Sequence, residues 1–388
     1  MSSGLLQGTE SSITAKPARL YYIDWLRVLA MLSIFLYHSD RFFDFMDWHV
    51  KNSVTSLASS IHIEVFNQWM MPLFFILSGA AVYYSLRARK GGEFVKERIL
   101  RILIPWVGIG IFIMAPPQVY LERLTHGEFT GTFFQFYYTH YFEGVYGFGG
   151  NLAIIPTHLW YLVLLFVFSM IALPIFLPFG GKGNSLISRL ANSFEKPWAL
   201  LLLFIPLTAA ALVSDVSGLG FTRQMGSWDI LSYLLFFIYG YLIFSNTRIQ
   251  DTIRKYSLIA SIGAVLLTLV VLALEWSSAL YWWALRALCA WCWLLAILGL
   301  GIRFLNRNNR FLSYANEAVL PFYILHQTII ISIGFYVVQW NMGIPLKYLI
   351  ISTSSFAAIM AIYDLLVRRF NVLRFLFGMR LKEKPKAS

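Results

Sequence analysis

Residues 24–40 read DWLRVLAMLSIFLYHSD, and inside this otherwise apolar run stand Arg27 and His38. With Tyr22 and Ile23 the run is long enough to cross a bilayer, which needs about 20 mostly apolar residues. A charge at the centre of a spanning helix costs about 2.5 to 3.5 kcal/mol on insertion scales, so an intramembrane polar group is a candidate functional group. Taken alone, each has a plainer reading. Arg27 lies a turn inside one end, where it can snorkel to lipid phosphate or pair with Asp24 at i, i+3. His38 can be an interfacial imidazole bonded to a neighbour. Their spacing adds an argument, because eleven residues at about 100° each leave them about 20° apart around the helix and about 16 Å apart along it. A cation and an imidazole on one stripe suit an elongated ligand with an anionic head and a reactive tail.

The rest of the chain has the same character. It has 388 residues, 58% hydrophobic, 17% aromatic and 13% charged, with a mean hydropathy of +0.65, a composition foreign to soluble domains. Ten apolar segments are predicted to span, at about 22–40, 69–86, 99–120, 157–178, 197–214, 228–245, 257–275, 280–302, 316–338 and 346–367. The fold class is therefore an all-α polytopic helix bundle. The net charge of +12 is accounted for by topology: with the N-terminus cytoplasmic, 24 of the 31 Lys and Arg fall inside and five outside, so both termini are predicted to be cytoplasmic. Nucleic acid is thereby excluded as a partner and lipid bilayer is the expected one. Residues 1–20 read as a polar cytoplasmic segment without a cleavage site, 21–370 as the membrane domain and 371–388 as a basic cytoplasmic tail. Cys289 and Cys292 form a CxxC within an apolar run and read as helix packing. No inverted repeat is legible and no metal site is predicted.

Beyond the first helix, MPLFFILSG (71–79), ERILRILIPW (97–106), HLWYL (158–162) and FYILHQ (322–327) follow in order. Together with the Arg, ten residues, His spacing of 27–38, they resemble the acyltransferase-3 family, integral membrane enzymes that O-acylate sugars and other extracytoplasmic acceptors. The resemblance spans about residues 20–370. Many members carry Gly after the first-helix arginine, where this chain has Val28; the branch resembling succinyltransferases of periplasmic glucans also lacks that Gly.

The resemblance implies a bacterial inner-membrane enzyme that uses acyl-CoA, acetyl or succinyl, as donor substrate, with no permanently bound cofactor and a carbohydrate as acceptor. It assigns His38 as the catalytic base, a task to which imidazole is suited, and Arg27 as its companion on the donor path. Asp40, about 200° further round the helix than His38, is poorly placed to orient it. Arg98 and Arg101 are candidates to clamp donor phosphates through forked hydrogen bonds, although a positive-inside cluster accounts for them equally well. Ser78 with Gly79 serves either close helix packing or donation to the thioester carbonyl. His158, Trp160 and His326 are acceptor-side candidates, as is Glu143, which with Gln135 and His140 lies in a stretch holding ten aromatics between Phe129 and Phe148. That stretch reads as an interface-lying segment or as a stacking floor for sugar rings. Arg286 and Glu317 are unassigned polar groups that can pair with each other, and Arg286 or Arg41 would serve a succinyl carboxylate. The competing class is a glycan or lipid exporter in which Arg27, His38 and Arg286 line a path.

Overall fold

The computed structural model describes residues 20–155, 157–176, 189, 192–274 and 279–383. The polar N-terminal segment up to Arg19, Lys182, and Lys384 and Lys386 of the tail lie outside them. Over the described residues, every segment predicted to span falls within a helix to within two residues at either end. In chain order these are α1 Tyr21–Asp40, α2 Leu57–Ala88, α3 Gly91–Thr125, the short α4 Phe133–Thr139, α5 Thr157–Phe176, α6 Pro197–Val216, α7 Ile230–Ser245, α8 Thr247–Ala273, α9 Leu280–Phe304, α10 Arg310–Val337, α11 Ile344–Val367 and the short α12 Asn371–Leu376. Eight are long and apolar enough to cross a membrane. The other two large ones differ for local reasons: α1 is diluted by Asp24, Arg27, His38 and Asp40, and α7 has only 16 residues. Among the described residues there is no strand, only isolated bridges pairing Val145 with Leu152 and Tyr146 with Gly150.

Polar residues start the helices where backbone N–H groups lack partners. The Asp229 carboxylate accepts from the Ser232 amide at 2.9 Å to open α7, and the Asn309 side chain accepts from the Leu312 amide at 2.7 Å to open α10. The central helix is α2, buried over 78% of its apolar window, whereas α8 is buried over 22% and lies at the periphery. What lets α2 in is a pair of glycines. A Cβ on Gly79 would lie 2.0 Å from the Phe237 carbonyl oxygen, and one on Gly240 would lie 2.1 Å from that of Ile76. The α2 and α7 backbones therefore touch, the small-residue contact that lipid-embedded helices rely on in the absence of a hydrophobic driving force.

Helix α3 departs from regular geometry, with π-helical bonding through Ile99–Leu103 and Pro105–Met114. Pro105 brings no amide proton to the ladder, and such widened turns concentrate at functional sites. The aromatic stretch after α3 folds on itself: Phe136 and Tyr141 pack with Ala115, Val119 and Ala153 in a small separate core, leaving Phe134, Tyr138 and Phe148 exposed.

One expectation is corrected. Arg286 and Glu317 do not pair, because they lie on different ends of the bundle: Glu317 takes Arg374 at 3.0 Å and Arg368 at 3.7 Å, while the buried Arg286 guanidinium sits 5.1 Å from the ring of Trp228. In the C-terminal segment α12 packs against the bundle, with Phe377 in the main core.

Candidate active site

The two sides of α1 settle where Arg27 and His38 point. Leu29 and Leu36 are 43% and 40% exposed, forming the outward stripe. Arg27 and His38 lie about 200° from them, in line with the buried Met31 and Ile34. Both polar groups thus face the bundle interior.

At the His38 end of that stripe three imidazoles meet. The His38 and His326 ring centroids are 5.2 Å apart, and those of His326 and His158 4.9 Å. His326 comes from the middle of α10 and is fully buried, and His158 opens α5. Backbone contacts fix the tautomers. His326 Nδ1 lies 2.6 Å from the Tyr323 carbonyl oxygen and donates to it, so Nε2 carries a lone pair, which has no hydrogen-bond partner among the described residues. His158 Nε2 donates to the Ile324 carbonyl at 3.2 Å and Nδ1 accepts from Gln118 Nε2 at 3.3 Å. His38 Nδ1 is buried and has no partner either. Trp48 stacks on His38 with centroids 5.9 Å apart.

A polar net surrounds the three rings. Gln327 Nε2 donates to Gln118 Oε1 at 3.0 Å and to His49 Nε2 at 3.2 Å. His49 Nδ1 in turn donates to Glu122, which also accepts from the Tyr146 hydroxyl at 2.7 Å. The loop bearing Trp48 and His49 is pinned by Asp44, which binds Arg41 and, at 2.5 Å, the Lys51 ammonium. Burial lowers the Lys51 pKa below its usual value, with Asp44 opposing.

Towards the other end, Arg27 Nη1 lies 3.2 Å from Asp24. Arg27 and Arg98 both reach the Tyr161 hydroxyl electrostatically, and that hydroxyl is 2.5 Å from Ser78 Oγ. Tyr161 packs edge-on against Tyr323 at 5.8 Å, and Tyr323 lies against His158 and His326. Side-chain contacts therefore run from Ser78 through Tyr161 and Tyr323 to the imidazoles, with the charges of Arg27 and Arg98 in electrostatic range of the Tyr161 end. Arg101 is paired with Glu97 at 3.5 Å and Arg98 Nε is buried without a partner.

Residues 20–364 match the acyltransferase-3 family, described as an acyltransferase domain. The chain belongs to this family. Proteins named glucans biosynthesis protein C from Salmonella schwarzengrund (strain CVM19633), Salmonella heidelberg (strain SL476) and Salmonella typhi are each 21% identical to it, over 95% of this chain and 98% of theirs. No solved structure matches it.

In this multi-pass acyltransferase the structure connects Ser78 to His158, His326 and His38 through Tyr161 and Tyr323, with Arg27 and Arg98 in electrostatic range of Tyr161. The remaining candidates lie elsewhere. Trp160 packs against Tyr233 at 5.3 Å, and Glu143 is in an exposed turn where its carbonyl accepts from the Asn151 amide. Gln135 closes the cap of α4, and His140 lies against Phe129 and Phe136. Asp40 binds Ser59 at 2.8 Å and His62 at 2.7 Å. His49, Glu122, Gln118 and Gln327 were not singled out from sequence; a His, a Glu and two Gln far apart in the chain carry no spacing signal. Glu122 and Gln118, one turn apart on α3, are the nearest to a legible pair.

Proposed function

We propose that this protein is an inner-membrane O-acyltransferase that moves an acetyl or succinyl group from cytosolic acyl-CoA to a hydroxyl of an extracytoplasmic carbohydrate such as a glucan, with both termini in the cytoplasm. The observation that carries the reading is the cluster of three imidazoles, joined by ring contacts through Tyr323 to Tyr161, with Arg27 and Arg98 in electrostatic range of that tyrosine. Acyl transfer needs an anchor for a long polyanionic donor and a base at the far end. Arg27, Arg98 and Arg101 are the anchor. His38 takes the proton of the acceptor hydroxyl as its oxygen attacks the thioester carbonyl; the new C–O bond forms, the C–S bond breaks, and the proton passes to the departing thiolate. The Nε2 lone pair of His326 supplies a second basic nitrogen beside it. Names of the Salmonella relatives support a glucan acceptor.

The test is release of CoA thiol by purified protein given acetyl-CoA or succinyl-CoA with a panel of glycans. The wild type is expected to release thiol and His38→Ala to lose about 10²-fold or more in rate; equal release by both removes His38 from the reaction. Arg98→Ala with Arg101→Ala is expected to raise the apparent KM for donor.

A further inference from the structure

The C-terminal segment is a built element. Arg374 in α12 is buried and spends its guanidinium on three partners: the carbonyls of Arg380 (2.7 Å) and Arg368 (3.3 Å) and the Glu317 carboxylate (3.0 Å). Asn371 closes the loop by accepting from the Lys382 amide at 2.9 Å. At Gly378 φ is +66°, and a Cβ there would meet the Arg101 carbonyl oxygen at 2.7 Å. The segment is thus seated directly on the turn of α3 that carries Arg101.

This docking gathers positive charge with too few acids. Arg380, exposed to solvent, reaches Arg101 electrostatically, as does Arg89. Among these three, the paired carboxylate is Glu97, shared by Arg89 at 2.9 Å and Arg101 at 3.5 Å. The same segment borders a cavity of about 600 Å³, where its Arg374 and Lys382 stand with Arg368 and Arg369 against Glu317 and Asp364. Holding like charges together in a folded wall costs free energy unless an anion bridges them. The cavity is of ligand size, and separated cations around it fit a ligand with several phosphates, to which guanidinium forks are matched.

We propose that residues 371–383 form one wall of a phosphate-binding site for the nucleotide part of the thioester donor, with Arg380 beside Arg101 and Lys382 beside Arg369 as its contacts. The proposal rests on the acyl-CoA reading above and adds the recognition element for the donor's phosphates. A phosphate could equally come from an anionic lipid headgroup, so the experiment separates the two. Full-length protein in nanodiscs is titrated with coenzyme A and with phosphate-free pantetheine, comparing wild type with R380Q/K382Q, two exposed positions. The expected result is a weakening of coenzyme A affinity by about tenfold or more in the variant, a smaller salt dependence, and equal pantetheine binding. Coenzyme A affinity within about twofold of wild type overturns the site, and so does a variant whose only change is a lost preference for discs containing phosphatidylglycerol. A wild type that binds coenzyme A in this phosphate-dependent way yet releases no thiol from any acyl-CoA defeats the transferase reading and leaves the site standing.

Discussion

His326 and His38 differ in what holds them. The Tyr323 carbonyl fixes which nitrogen of His326 is bare, so His326→Gln keeps the size of the side chain and removes the basic nitrogen. It is expected to lower kcat by about 10²-fold while the KM for donor stays within about threefold; a change confined to KM contradicts a role beside His38. Asp40→Asn is expected to leave kcat within about threefold, because its carboxylate serves Ser59 and His62. At this scale the motifs carry legible residues in His38, His158 and His326, whose rings the fold brings together. Glu122, Gln118 and Gln327 were illegible because their meaning is a mutual distance set by α3 meeting α10.

Among the elements, the crossing of α2 and α7 is the least tolerant. Gly79→Ala or Gly240→Ala puts a methyl into a backbone and is expected to cost about 1–3 kcal/mol or more, read as a lowered melting temperature in detergent. Gly378→Ala meets both a positive φ and the Arg101 backbone, a strain of about 1–2 kcal/mol; faster tryptic cleavage after Arg380 is the expected sign that the segment has lifted. Lys51 carries a pH dependence. Its folded pKa lies below the ordinary 10.5, so the unfolded chain binds more protons between the two values, and stability from this group rises as pH rises through that interval. Lys51→Met should abolish that rise in melting curves taken as the pH approaches 10.5 from below. Helix positions were legible from apolar length alone. The π-helical stretch of α3 and the docking of α12 were not, since both depend on contacts that periodicity does not record.

For the whole molecule the open axis is orientation, which charge asymmetry argues and labelling checks. The native thiols are silent reporters, because Cys289 and Cys292 are buried. A cysteine at the exposed Tyr138 is expected to react with an impermeant maleimide in intact cells, and one at the exposed Asn309 only after permeabilisation; the reverse pattern inverts the molecule and with it the side from which the donor enters. The overall class was legible because composition in a bilayer leaves few alternatives, whereas the assembly of one site from α1, α3, α5 and α10 was not. Where the two glycines of α2 and α7 let main chain rest on main chain, there is no layer of side chains to slide or reshuffle. That crossing works as a fixed fulcrum, and the movement needed to admit a bulky substrate falls on helices that are not locked in it.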